Sequence, residues 1–166
     1  MALPIPAGTL LEEFGSALNS MGMPCPHIAH RVFAAGSSHR ERKPKGLPRG
    51  FVVVYSFSLS HAYGVTCPAG ANRVLRVGKA TSAGRLAQHY ENYATARGLP
   101  YNLANYRILW PYLGLSGALP DYSVSWTNWI EENLDRDQFE IPRIAGDLAS
   151  TLEKFLRGRL GPVFEG

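Results

Sequence analysis

The sequence predicts an α+β fold: a small three-stranded antiparallel sheet flanked by helices, with an N-terminal helical extension. Two β-rich segments, 51–58 and 73–78, are joined by a loop rich in turn-forming residues, so they are expected to pair antiparallel. Apolar residues recur every three to four positions in four other segments, as is typical of helices. The 166 residues are 45% hydrophobic and 18% charged, which suits one folded domain with a core.

The first predicted element is a helix over residues 9–21, in an extension that covers residues 1–50. Thr9 and Glu12 fit a capping box, in which each side chain bonds a backbone N–H group at the start of a helix. The apolar residues that follow at helical spacing are Leu10, Leu11, Phe14, Leu18 and Met21. Gly22 ends the helix, and its apolar stripe is expected to dock on the core.

The extension ends in a linker over residues 36–50, where glycine, proline and serine favour irregular structure. The linker contains one acidic residue, Glu41, and five basic residues, which are Arg40, Arg42, Lys43, Lys45 and Arg49. Such a run is either a solvated tether or a flexible arm that lies along phosphates and adds salt-dependent affinity. These cations, with Arg73 at the start of the second strand, are the candidate nucleic-acid contacts.

The sheet is expected to contain three strands. Residues 51–58 and 73–78 are rich in β-branched and aliphatic residues and are bounded by glycine and other turn formers. The third strand is expected over residues 105–112, where Pro111 marks an edge strand or the end of the strand.

Three further helices follow from caps and periodicity. Ser82 caps the first of them, in which Arg85 and His89 are four residues apart and share one face. The other two are expected over residues 123–134 and 143–159, where apolar residues recur at helical spacing.

Charge is distributed unevenly along the chain, whose net charge is +4. Residues 1–110 contain 12 Lys or Arg and 4 Asp or Glu, whereas residues 111–166 contain 5 and 9. A basic first half favours a polyanionic partner, and an acidic second half is either a solvated helical face or the source of a metal-binding carboxylate. Composition alone does not decide between nucleic-acid binding and other roles.

The side chains that carry chemistry come from the predicted hairpin and the helix after it. Tyr55 and Lys79 lie at the edge of the hairpin, and Arg76 lies on its second strand. Arg85 and His89 add a guanidinium and an imidazole from the helix. A cationic pocket with no local acid favours an anion, most commonly phosphate, so these residues predict a phosphate-binding surface that includes a phenol.

The ordered set of these residues resembles the GIY-YIG endonuclease family, over residues 51–94 and 143–166. The first motif of the family resembles residues 53–55 (Val-Val-Tyr), with valine in place of glycine. The second motif resembles residues 76–78 (Arg-Val-Gly), with arginine in place of tyrosine, as in some branches of the family. Lys79 matches a lysine that often follows the second motif.

The remaining motifs of the resemblance are single residues. Arg85 and His89 match the arginine of the family's helix and the histidine four residues after it. Glu153 matches the metal-binding glutamate, and Pro162 follows it nine residues later as in the closing motif. Glu165 stands where the family usually has asparagine.

The resemblance implies a divalent-metal-dependent endonuclease that hydrolyses phosphodiester bonds in DNA. Residues 51–166 would be its catalytic domain, with an insert at about 99–142. Glu153 would bind Mg²⁺ or Mn²⁺, whose hard character suits carboxylate and phosphate oxygens. Glu131 and Glu132 are competing metal ligands that lack the proline at the familiar spacing.

The resemblance also implies a role for each of the other catalytic candidates. Tyr55 would orient or deprotonate the attacking water, and the charge of Lys79 or Arg76 would favour its phenolate. Arg85 would hold a non-bridging phosphate oxygen. His89 would act as a proton shuttle or a phosphate donor.

The partner implied is DNA, with RNA left open, and specificity would come from the basic arm, the insert or a homodimer. Two other classes of function remain open: a nucleic-acid-binding module on the same scaffold without cleavage, and a protein-interaction domain that uses the aromatic insert. The sequence predicts no membrane span, since no segment approaches the ~20 apolar residues needed. Its start does not resemble a signal peptide, so the protein is expected in the cytoplasm.

Overall fold

The computed structural model of the chain describes residues 3–36, 47–60, 73–90, 98–105 and 126–164. The helices and strands in chain order are α1 (Ala7–Ser20), β1 (Ala29–Phe33), β2 (Phe51–Leu59), β3 (Val74–Ala80), α2 (Ala83–Ala87), α3 (Leu99–Asn105), α4 (Trp126–Asn133), β4 (Leu134–Pro142) and α5 (Leu148–Leu160). Single turns of 3₁₀ helix cover Gln88–Tyr90 and Arg143–Ala145. The α+β class predicted from the sequence is therefore confirmed.

The sheet in the described part of the chain has four antiparallel strands, in the order β1-β4-β2-β3. The predicted hairpin is confirmed, because β2 pairs with β3 and Tyr55 lies opposite Gly78. The prediction of three strands is wrong, because β1 lies in the expected extension and β4 in the expected insert. Of the predicted third strand, Asn105 ends α3 and residues 106–112 lie outside the described residues.

Charged side chains of β4 find their partners on β1, and these pairs explain how a polar segment forms an inner strand. His30 Nε2 lies 2.7 Å from Asp137 Oδ1, and Arg31 Nε donates to Glu140 Oε1. Both acids are almost completely buried. Buried charges are tolerated when they are paired, so β1 and β4 stabilise each other as neighbours.

Separate apolar clusters cover the two sides of the sheet. On the first side α1 and α5 pack against the sheet, through residues that include Leu10, Phe14, Leu18, Leu152, Leu156, Val52 and Val54. On the second side the cluster contains residues from α3, α4 and the segment around Leu86, together with Tyr55, Phe57 and Leu75 of the sheet. Tyr55 therefore belongs to the second side.

The observed helices agree with the periodicity of the sequence where the residues are described. The predicted helix over 9–21 is α1, that over 123–134 is α4, and that over 143–159 is α5 after one 3₁₀ turn. The helix predicted from Ser82 is shorter, because α2 ends at Ala87 and continues as a 3₁₀ turn. Within the described segments, no helix is long and apolar enough to cross a membrane.

Candidate active site

A cavity of about 190 Å³ lies along the outer edge of β3, where this strand faces α5 and α2. The residues that line it are Tyr55, Arg76, Gly78, Lys79, Arg85, Gln88, Glu153 and Arg157. Five of the six predicted catalytic residues are among them: Tyr55, Arg76, Lys79, Arg85 and Glu153. The structure thus brings the carboxylate from near the end of the chain to the phenol and the cations from its middle.

Gly78 allows the Tyr55 ring to lie directly across the neighbouring strand. A Cβ atom at residue 78 would stand 2.5 Å from the Tyr55 hydroxyl oxygen and 2.7 Å from Cζ, well inside van der Waals contact. Any residue other than glycine would therefore displace the ring. The glycine of the second motif thus has a steric role that is visible in the structure.

His89 lies behind Tyr55, fully buried, instead of beside Arg85 on the cavity wall. The Leu99 N–H donates to His89 Nδ1 at 3.1 Å, so the imidazole proton is on Nε2, which donates it to the Tyr55 hydroxyl oxygen at 2.7 Å. Burial, and to a lesser extent the charges of Arg76 and Arg136, lower the pKa of His89 to about 3. The expected surface shared by Arg85 and His89 does not form, because His89 is a neutral group inside the core.

The hydroxyl of Tyr55 stays protonated at neutral pH. Burial raises the pKa of Tyr55 to about 12, although the nearby Arg76 acts to lower it. Because the hydroxyl oxygen accepts the His89 proton, its own O–H is left to donate into the cavity. Tyr55 is therefore built as a fixed hydrogen-bond donor.

Arg76 is held by a residue of the expected insert. Its Nη1 donates to Asn102 Oδ1 of α3 at 2.5 Å, and both side chains are buried. Burial lowers the pKa of Arg76, while its interaction with Tyr55 acts in the opposite direction. Asn102 thus fixes the guanidinium beside the phenol.

Lys79 and Arg85 bring two further cations to the cavity. The Lys79 ammonium donates to Ser150 Oγ on the first turn of α5, so this contact joins β3 to the helix that carries Glu153. Arg85 is exposed on α2. A guanidinium in this position can reach a ligand that enters from solvent.

Glu153 contributes the acid of the cavity and is paired with a cation one turn along α5. Arg157 Nη2 lies 2.7 Å from Glu153 Oε1. The same guanidinium donates to the Val77 carbonyl oxygen of β3 at 3.2 Å from Nη2 and 3.4 Å from Nε. Arg157 therefore ties the carboxylate to the edge of the sheet.

Glu153 is the acidic side chain among the residues that line the cavity, and it is paired with Arg157. Mg²⁺ is usually bound by one or two carboxylates together with substrate phosphates and water, and Glu153 supplies one carboxylate in the cavity. Among the residues that the structure describes, no three His, Cys, Asp or Glu side chains form a metal-binding group. A divalent cation in the cavity would therefore have one carboxylate from the lining, with water and phosphate oxygens as its other ligands.

The predicted nucleic-acid contacts divide into three groups. Arg40, Arg42, Lys43 and Lys45 lie outside the described residues. Arg49 is exposed in the turn before β2, where a phosphate can reach it. Arg73 is half-buried and donates to the carbonyl oxygens of Leu59 and Ser60, at 3.2 and 2.5 Å, so it also holds the end of β2.

Two residues of the site, Gln88 and Asn102, were not predicted from the sequence, and Arg157 was predictable only as one of several cations that could pair with Glu153. Arg157 is four residues after Glu153 on a predicted helix, and this spacing was a usable signal that both side chains share one face. Gln88 has a similar signal, because it is three residues after Arg85 on a predicted helix, whereas Asn102 has none, because it reaches the site through packing between separate elements.

Comparisons of the chain with family models, with characterised proteins and with solved structures found no match. The site must therefore be interpreted from its own residues and geometry.

Proposed function

We propose that the chain is a divalent-metal-dependent endonuclease of the GIY-YIG type that hydrolyses phosphodiester bonds in DNA. The observation that carries the proposal is the convergence of five residues from the family resemblance on one cavity, and they are Tyr55, Arg76, Lys79, Arg85 and Glu153. They come from two strands and two helices between positions 55 and 153. Tyr55, Arg76 and Lys79 already lie on the paired strands β2 and β3, so the informative part of the convergence is that α2 and α5 bring Arg85 and Glu153 to them.

The charge of the cavity favours a phosphate. Four cationic side chains and one acidic side chain line it, so an anion gains from entering even when the acid is ionised. The three guanidinium groups present planar pairs of N–H donors, which match the oxygens of a phosphate. A phosphodiester of a nucleic acid fits both the charge and the donors, and the family resemblance selects it among phosphate compounds.

The residues divide the work of hydrolysis between them. Tyr55 donates its O–H to orient the attacking water, because burial raises its pKa and His89 already donates to its hydroxyl oxygen. Arg85 and Lys79 hold phosphate oxygens and offset the charge that develops on them. His89 positions Tyr55 and carries no proton to the reaction, since it is buried and neutral.

Glu153 would hold Mg²⁺ or Mn²⁺, with water and phosphate oxygens as the other ligands. Bound there, the ion would polarise the phosphate and stabilise the leaving oxygen. Ser150 and Lys79 support this end of the site by fixing α5 against β3.

Conversion of supercoiled plasmid to nicked or linear DNA tests the proposal. We expect conversion by the wild-type chain with Mg²⁺ or Mn²⁺ and none with EDTA. If the chain leaves the plasmid intact with both ions, the proposal fails.

A second candidate, a nucleic-acid-binding module without cleavage, is favoured by one observation. The Glu153 carboxylate is already paired with Arg157, as in a purely structural ion pair. This candidate predicts DNA binding that weakens steeply with salt, and no plasmid conversion with either metal. A protein-interaction domain predicts neither steeply salt-dependent DNA binding nor plasmid conversion.

A further inference from the structure

Arg157 forms an ion pair with the Glu153 carboxylate, which is the metal ligand of the proposed function. Its Nη2 is 2.7 Å from Glu153 Oε1, and the same group is 3.2 Å from the Val77 carbonyl oxygen. The guanidinium is thus divided between an acid and a neutral acceptor, at the wall of a cavity that is otherwise rich in cations.

A second ion pair of α5 provides a contrast. Arg159 donates through Nε and Nη2 to both carboxylate oxygens of Glu13 on α1, at 2.7 and 3.0 Å, and these side chains are 43% and 39% exposed. That pair joins two helices, and each carboxylate oxygen of Glu13 accepts a hydrogen bond from Arg159. The Glu153 and Arg157 side chains are only 13% and 31% exposed, and both line the cavity.

Pairing with Arg157 conflicts with metal binding at Glu153. A guanidinium and a divalent cation on the same carboxylate repel each other, and the repulsion is stronger in a partly buried site than in water. A phosphate removes the conflict, because its oxygens accept N–H groups of arginine and also coordinate hard cations. Glu153 can then serve the metal while Arg157 remains paired with an anion.

We propose that Arg157 exchanges partners when substrate binds. In the free protein it neutralises the Glu153 carboxylate, and in the complex it donates to a non-bridging oxygen of the substrate phosphate and leaves the carboxylate to the metal. The exchange rests on the proposed function. Because Arg157 lines the cavity itself, a change of its side-chain rotamer is sufficient and α5 stays in place.

The exchange makes metal and phosphodiester bind cooperatively. Each ligand removes part of the cost of binding the other, and by linkage each raises the affinity of the other by the same factor. Coupling between two sites is typically about 5- to 150-fold. The free protein therefore binds the metal weakly, and the site is completed only when nucleic acid is present.

Titration of the full-length chain with Mn²⁺, followed by the electron paramagnetic resonance signal of the free ion, measures this coupling. The titration is run with and without dimethyl phosphate, a phosphodiester that resists hydrolysis, at ionic strength matched with NaCl. The variants are Arg157→Gln and Glu153→Gln, and the matched control is Arg159→Gln, which removes one cation from the same helix. Circular dichroism checks that each variant is folded.

We expect dimethyl phosphate to strengthen Mn²⁺ binding by the wild-type chain. Without dimethyl phosphate, Arg157→Gln should bind Mn²⁺ about five-fold or more tightly than the wild type does. The factor by which dimethyl phosphate strengthens Mn²⁺ binding should be smaller in this variant than in the wild type by a similar amount. Arg159→Gln should match the wild type in both measurements. If Arg157→Gln does not fold, Arg157→Lys replaces it, and its strengthening should lie below that of the wild type because the planar fork is lost.

The exchange is overturned if Arg157→Gln binds Mn²⁺ with the wild-type affinity and dimethyl phosphate strengthens that binding as much as in the wild type. It is also overturned if dimethyl phosphate does not strengthen Mn²⁺ binding by the wild-type chain. In those cases the proposed function still stands if Glu153→Gln weakens Mn²⁺ binding. If Glu153→Gln binds Mn²⁺ as tightly as the wild type, the metal assignment fails, and the exchange fails with it.

Discussion

Residue 78 sets the position of the Tyr55 hydroxyl, because only glycine leaves room for the ring. We expect Gly78→Ala to displace the phenol, since the new methyl group would lie 2.5 Å from the hydroxyl oxygen. A displacement of about 1 Å can cost about 10²-fold in rate, and overpacking typically costs about 1–3 kcal/mol of stability. Plasmid cleavage rates and urea denaturation measure the two effects.

Gly158 on α5 provides the matched control for this substitution. A methyl group added there meets no atom within 4 Å. Gly158→Ala should leave cleavage unchanged and raise the free energy of unfolding by up to about 1 kcal/mol, because alanine favours helix. Wild-type cleavage by Gly78→Ala would contradict the assigned steric role.

His89 should make the stability of the protein depend on pH. Its pKa is about 3 in the folded chain and 6.5 for an unperturbed histidine, so below pH 6.5 the unfolded state takes up a proton that the folded state does not. The free energy of unfolding should therefore decrease as pH falls from 6.5 towards 3. One proton corresponds to at most about 1.4 kcal/mol per pH unit.

Urea denaturation between about pH 4 and pH 7 measures this dependence. His89→Gln should make the free energy of unfolding depend less steeply on pH than in the wild type. His27→Gln, which changes an exposed imidazole, is the control and should keep the wild-type dependence. An unchanged slope in His89→Gln would contradict a buried neutral imidazole.

At the scale of elements, the sequence predicted those whose side chains bury against apolar neighbours. α1, α4 and α5 follow from helical periodicity, and β2 and β3 from runs of apolar residues bounded by turns. β4 has no such pattern, because six of its nine residues, Leu134–Pro142, are polar, charged or proline. A segment of this composition is typical of a solvated loop.

The partners that make β4 an inner strand come from distant parts of the chain. The Arg136 guanidinium carbon lies 4.1 Å from the centre of the Phe33 ring, and Nη1 donates to the Tyr90 hydroxyl at 3.0 Å. These contacts depend on the fold being already formed, so no local pattern in the sequence could reveal them. β1 was missed for the same reason, since its stabilising pairs are with β4.

α1 should stabilise the whole domain, because it packs on the same side of the sheet as α5. Phe14 is 2% exposed and packs against Phe155 in a tilted arrangement, with ring centres 5.5 Å apart. We expect Phe14→Ala to lower the free energy of unfolding by about 3–5 kcal/mol, as other buried aromatic truncations do. Urea denaturation tests this.

The expected capping box of Thr9 and Glu12 does not form, because α1 begins at Ala7 and no side chain caps it, so the exposed Glu12 is the control position. Glu12→Ala should change stability by no more than about 0.5 kcal/mol. A small effect of Phe14→Ala would mean that α1 is dispensable for the domain, as a separable extension over residues 1–50 would be.

At the scale of the whole molecule, the sequence predicted the parts of the site that belong to ordered motifs. Tyr55, Arg76 and Glu153 could be named because each occupies a fixed place in a pattern that resembles a family. Arg157 could be named only as a possible ion-pair partner of Glu153 on the same helix, and Asn102 could not be assigned a role, because its importance depends on what the fold brings next to it. The motifs therefore identify reactive groups, and the structure identifies what holds them.

DNA binding should weaken as the salt concentration rises, because each protein cation that contacts a phosphate releases counterions from the DNA. We expect Arg85→Gln to reduce the slope of log K against log salt by about one, because the slope changes by about 0.9 for each phosphate contact. Fluorescence anisotropy with a labelled duplex measures the slope. Arg143→Gln, which changes an exposed arginine away from the cavity, should keep the wild-type slope, and a wild-type slope for Arg85→Gln would exclude the phosphate contact.

The most direct test of the account is the Mg²⁺-dependent plasmid cleavage rate of Glu153→Gln beside that of Glu132→Gln. Glu153 lines the cavity, whereas Glu132 is exposed on α4. We expect Glu153→Gln to lose about 10³-fold or more in rate, because the metal loses its protein carboxylate, and Glu132→Gln to cleave like the wild type. Wild-type cleavage by Glu153→Gln would contradict the account.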